Sequence, residues 1–167
     1  LAGIRSTKTK NCRYLVVKKI IAYHLFILCV VIGISIQEPL GNIPDWLTGY
    51  WLAIQCILVA AVGGTLYCLR AVYVNKCVNK NWDIEWETWY YLRPITSSVS
   101  GFSAYIFLKA GLIVLEADQA AEAGDYGFMV IAFIAGLNVD NFIRKLEDIA
   151  KATFGIDKSR SSSRKDD

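Results

Sequence analysis

Basic side chains in this chain are confined, with one exception, to alternate connections between four apolar stretches. The segment up to Lys19 holds six Lys/Arg, residues 70–94 hold four, and the region from Asn138 onward holds seven. Segments 37–50 and 116–126 hold none, against six carboxylates. Cytoplasmic loops of membrane proteins carry an excess of Lys and Arg, and the inner leaflet is anionic. The pattern therefore predicts an all-α integral membrane protein, a four-transmembrane-helix bundle with both termini cytoplasmic; a bacterial inner (plasma) membrane is expected, and a eukaryotic membrane with the same electrical asymmetry would leave the same imprint. With 54% apolar residues and a mean hydropathy of +0.36 over 167 residues, one membrane domain over 1–155 is expected rather than a soluble domain. Residues 156–167 are charged, Ser-rich and almost without apolar side chains, and are expected to form a polar flexible tail. The net charge of +3 is small and unevenly spread, which argues against nucleic-acid binding.

The spans are expected near 20–36, 47–69, 95–115 and 126–140. The first lacks an Ala-x-Ala-like end and is followed by Gln37, Glu38 and Pro39, so it reads as a retained span rather than a signal peptide. Lys18 and Lys19 would snorkel to the inner interface. Trp46, Tyr50 and Trp51 are expected as outer aromatic anchors of the second span. The strongly apolar part of the fourth, Phe128–Leu137, is too short to cross alone. One continuous helix from Tyr126 to about Phe154 is therefore expected, emerging as an amphipathic cytoplasmic extension that Gly155 stops.

Small residues recur at helical spacing and predict close helix packing. Span two carries Ala53, Ala60 and Gly64; span three carries Gly101, Ala104 and Gly111 in line with Ser97 and Leu108; span four carries Ala132 and Gly136. Such seams serve packing within one bundle or self-association into a homo-oligomer.

The inner segment before span three holds Trp82, Trp86, Trp89 and Tyr90 on one helical face. It is expected to lie flat on the membrane as an interfacial anchor or partner surface, with an aromatic pocket as the alternative. Lys109 lies inside an apolar run, where a charge costs about 2.5–3.5 kcal/mol. It either snorkels outward to Glu116 or Asp118, or lines a water-filled path together with Ser97, Ser100 and Ser103. The outer carboxylates Glu116, Asp118, Glu122 and Asp125 are expected to be solvated. Asn138, Asp140 and Asn141 would meet Arg93 or Arg70 at the inner end of span four.

No arrangement of residues predicts catalysis. His24 is the only histidine, expected either to hydrogen-bond across helices or to titrate as a proton-sensitive group, and there is no Walker loop, zincin pair or dinucleotide fingerprint. The five cysteines show no CxxC or metal-ligand spacing. No metal and no cofactor are expected.

The run Trp89-Tyr90-Tyr91-Leu92-Arg93-Pro94-Ile95, the glycine-containing third span and Ala132-Phe133-Ile134-Ala135-Gly136-Leu137 resemble a pattern of small uncharacterised four-span prokaryotic membrane proteins. Some proteins of that type are associated with antiphage defence. The resemblance implies a membrane effector that oligomerises and disturbs permeability when a cytoplasmic partner senses infection.

Two readings follow. In the leading one the chain is a non-enzymatic, homo-oligomeric membrane protein that acts as a pore-forming or permeability-altering effector. In the alternative it is a membrane anchor or accessory subunit whose cytoplasmic face binds a protein partner. The lipid bilayer is a partner in both.

Overall fold

The computed structural model describes residues 2–80, 82, 84–111 and 120–155. All elements among them are helical. α1 runs Ala2–Ser35, α2 Asp45–Thr48, α3 Trp51–Tyr73, α4 Glu87–Lys109, α5 Ala120–Leu137 and α6 Val139–Phe154. A π-helical turn, Val74–Val78, extends α3, and a 3-10 turn, Ile84–Trp86, leads into α4.

Two helical stretches, Leu15–Ser35 and Trp51–Val78, are long and apolar enough to cross a membrane. A third exists if α5 and α6 count as one broken span. α4 has 23 residues, enough for about 34 Å of helix, but its hydroxyls and charges make it less apolar. Span two begins at Trp51 rather than at Leu47, because Leu47 belongs to the separate turn of α2. Trp46 and Tyr50 stand exposed, as expected of anchors, whereas Trp51 is buried in the bundle.

α3 is the central helix and packs against α4 and α5; α1 packs chiefly against α3 and also touches α4. The three-helix contact is built from the small residues. A Cβ placed on Gly136 would stand 2.6 Å from Ala60 Cα, and one on Gly101 would stand 2.8 Å from the Cys56 carbonyl oxygen. A Cβ on Gly64 would stand 2.6 Å from Ser97 Cβ, and one on Gly63 would stand 2.6 Å from the Phe133 carbonyl oxygen. Backbones this close gain dispersion contacts that lipid cannot supply. Ala53, Ala60, Ala104 and Ala132 are buried in the same seams. Gly111 is the exception. Its φ of +70° and its N–H bond to the Leu108 carbonyl (3.0 Å) make it the left-handed stop of α4, and nothing packs against it. α4 therefore ends at Lys109, and residues 112–119, which hold the expected end of span three near Leu115, lie outside the described ones.

α1 presents Val17, Ile20 and His24 to the core, while Leu25, Phe26 and Ile32 stay exposed. His24 does not bond across helices. Its Nδ1 donates to the Ile20 carbonyl of its own helix (2.8 Å). Near the C-terminal end of α1, Ser35 donates to Gln55 (3.4 Å) and Gln55 to Glu38 (3.3 Å), which joins α1 to α3.

The expected straight helix from Tyr126 to Phe154 is not formed. α5 and α6 meet at an angle of 111°, with Asn138 at φ −130°, ψ 62° between them. The break is stabilised because α4 takes up the carbonyls it frees. Ser97 Oγ donates to Gly136 O (2.8 Å), and Arg93 donates to Leu137 O (3.5 Å). A continuous helix would have given both carbonyls backbone donors instead. α6 ends where expected, at Gly155 with φ +68°.

Candidate functional site

The polar groups of the described residues concentrate where α3, α4, α5 and α6 converge, around Arg93. This side chain is 5% exposed, and its guanidinium meets Asp140 Oδ2 at 3.4 Å. It also lies 4.7 Å from the centroid of the Tyr67 ring and 5.4 Å from that of Trp89. A buried cation is tolerated only when paired, and here a carboxylate, a helix-terminal carbonyl and two π faces share the task. Asp140 lies in the first turn of α6, where a negative charge favours the helix dipole. Arg93 thus ties four helices to one point. Of the expected pairings at this end, Arg93 with Asp140 is formed.

Pro94 follows immediately and explains a second contact. Lacking an N–H, it leaves the Tyr90 carbonyl without its helical donor. The Cys68 thiol of α3 approaches that oxygen at 4.0 Å, and Tyr23 of α1 donates to the neighbouring Tyr91 carbonyl at 3.4 Å. The Cys68 contact thus meets the carbonyl that Pro94 frees, and the Tyr23 bond adds a link from α1 to α4.

Trp82, Trp86, Trp89 and Tyr90 do not form one amphipathic helical face. Trp82 lies outside any helix, Trp86 ends the 3-10 turn, and Trp89 and Tyr90 open α4. Tertiary packing nevertheless gathers them. Trp82 stacks on Tyr90 with centroids 5.3 Å apart, Trp89 meets Tyr90 edge-on at 5.0 Å, and Tyr67 meets Trp89 edge-on at 5.8 Å. Trp82 and Tyr90 are buried, while Trp86 and Trp89 remain exposed beside a pocket of about 370 Å³. Asn75 donates to the Tyr90 hydroxyl (3.3 Å). Tyr67 and Asn75 of this site were not picked out from the sequence; their four-residue recurrence with Ala71 was the available signal.

The serines and Lys109 are not brought to one path. Ser97 is sealed between α4 and α5. Ser100 and Ser103 border a groove of about 500 Å³ between α4 and α6, also lined by Leu92, Val99, Phe142 and Leu146. Their hydroxyls donate to the Thr96 and Val99 carbonyls of their own helix, both at 3.0 Å. Hydroxyls satisfied this way need no water. Lys109 is exposed in the last turn of α4, with Nζ 5.7 Å from the Tyr105 ring centroid, rather than in the middle of a span. Its expected partners Glu116 and Asp118 lie outside the described residues, as do the side chain of Glu122 and the tail 156–167.

Among the described residues no group of three His, Cys, Asp or Glu side chains is placed to hold a metal. Comparison with known proteins finds no matching family model, no matching curated protein and no matching solved structure.

Proposed function

We propose that this chain is a non-enzymatic, four-span protein of the bacterial inner membrane, with cytoplasmic termini, that anchors or assists a cytoplasmic protein partner. α1, α3, α4 and the α5 segment would be the spans, and the connections rich in Lys and Arg would face the cytoplasm.

The observation that carries the proposal is the turn of α6. It departs from α5 at 111° and carries Arg144, Lys145, Asp148 and Lys151 on an exposed face. Its other face holds Val139, Phe142 and Leu146 toward the bundle. A helix of that kind lies along the headgroup boundary and offers a charged platform to whatever approaches from the cytoplasm.

A homo-oligomeric pore or permeability-altering effector needs two things in addition: a surface for self-association and a wet path. The seams at Gly63, Gly64, Gly101 and Gly136 are taken up inside one chain, so self-association would have to use another face. Imaging of the protein in nanodiscs, joined to cysteine accessibility at Ser103→Cys, separates the two arrangements. A ring in which that cysteine reacts with a water-borne thiosulfonate refutes the anchor reading. A monomer with an unreactive cysteine, losing a bound partner when exposed Arg144 and Lys145 are replaced by Glu, supports it.

A further inference from the structure

The pocket beside Trp86 adjoins a second one along α3, with which it shares part of its wall. The first is lined by Tyr67, Asn75, Glu85, Trp86, Trp89 and Tyr90. The second, of about 250 Å³, is lined by Tyr67, Arg70, Val74 and Asn75, so the two share Tyr67 and Asn75. One compartment is therefore walled by four aromatic rings with a carboxylate, and the adjoining one by a guanidinium. Ring faces and a carboxylate attract an organic cation, and a guanidinium matches the oxygens of a phosphate. These rings already accept a cation from the neighbouring side, since Arg93 rests on Tyr67 and Trp89. The pairing of Arg93 with Asp140 offsets its charge, which limits repulsion of a second cation.

We propose that this double pocket binds a zwitterionic phosphoester headgroup, its ammonium among Tyr67, Trp86 and Trp89 against Glu85, and its phosphate on Arg70. Phosphoethanolamine and phosphocholine each carry a cation and an anion on one short link, one for each compartment. The position suits a lipid: Tyr67 and Arg70 stand near the inner end of the apolar stretch Trp51–Val78, where headgroups begin. The assignment rests on the membrane reading above.

The test uses the full chain, purified in an uncharged maltoside detergent and stripped of lipid. It is titrated with phosphatidylethanolamine, phosphatidylglycerol or free O-phosphoethanolamine, and read by tryptophan emission and native mass spectrometry. Saturable binding of phosphatidylethanolamine is expected, with phosphatidylglycerol about tenfold weaker because it lacks the cation. Trp86→Leu and Glu85→Gln each weaken phosphatidylethanolamine about fivefold. Arg70→Gln weakens both lipids alike. Saturation by the intact lipid alone supports a membrane source, and saturation by O-phosphoethanolamine as well supports a free phosphoester. Equal affinity for the two lipids, no saturation by either source, or unchanged affinity in Glu85→Gln overturns the site. Carbonate extraction of membranes tests the underlying reading separately: release of the chain refutes membrane insertion, whereas a retained chain without headgroup preference refutes only the pocket.

Discussion

Replacing Gly136 by Ala adds one methyl group where α5 crosses α3. The new carbon would lie 2.6 Å from Ala60 Cα, against an ordinary carbon contact of about 3.5–4.0 Å, so the helices must separate by about 1 Å. Overpacking of this sort costs about 1–3 kcal/mol. Separation also stretches the buried bond from Ser97 to the Gly136 carbonyl, 2.8 Å long, at a cost of about 1 kcal/mol. Alanine returns up to about 1 kcal/mol of helix propensity. Gly33→Ala in α1 supplies the control, because nothing lies within 4 Å of a Cβ there and only the propensity gain remains. The two variants should therefore differ by about 2–4 kcal/mol. Reversible unfolding in mixed micelles measures the difference. A gap below about 0.5 kcal/mol would refute the close-packed crossing. A change in particle mass at unchanged stability would place the seam between chains instead.

Ser97→Ala leaves the Gly136 carbonyl without its cross-helix donor and should cost about 1 kcal/mol, whereas Ser103→Ala, whose hydroxyl bonds its own helix, should be nearly neutral in the same unfolding assay. Arg93→Gln should release α6 and accelerate amide exchange over 139–154 by about tenfold or more. Asp140→Asn should do so much less, because that carboxylate is 65% exposed and its half of the pair is screened; equal effects would show that the ion pair, not the capping and stacking of Arg93, holds α6.

The helices of α1 and α3 were legible because long apolar runs bounded by charge leave the backbone little choice in lipid. Gly155 was legible as a stop because a left-handed residue after an amphipathic run announces itself locally. The seams were legible as small residues at helical spacing, yet nothing in the spacing says whose backbone approaches. That is decided by the partner helix: Ala60 meets both Gly101 and Gly136, which places three helices around one alanine.

Two expectations failed for one reason, that a local pattern was extended across a point where a distant side chain intervenes. The periodicity from Val139 to Phe154 is real, and α6 is a helix, but its direction depends on Ser97 and Arg93 taking the Gly136 and Leu137 carbonyls. The aromatics from Trp82 to Tyr90 do converge, although by stacking from separate elements and not as one helical face. Lys109 was read as deep in a span because the apolar letters continue past it, whereas Gly111 ends the helix there.

The sequence alone thus determines that the chain is helical and carries apolar segments fit for a membrane, since composition and charge act on each segment independently of its neighbours. Tertiary structure alone decides the bend at Asn138, the internal use of the glycine seams and the aromatic pocket. Each depends on groups far apart in the chain meeting within hydrogen-bonding or van der Waals distance, and periodicity within one helix carries no record of that meeting.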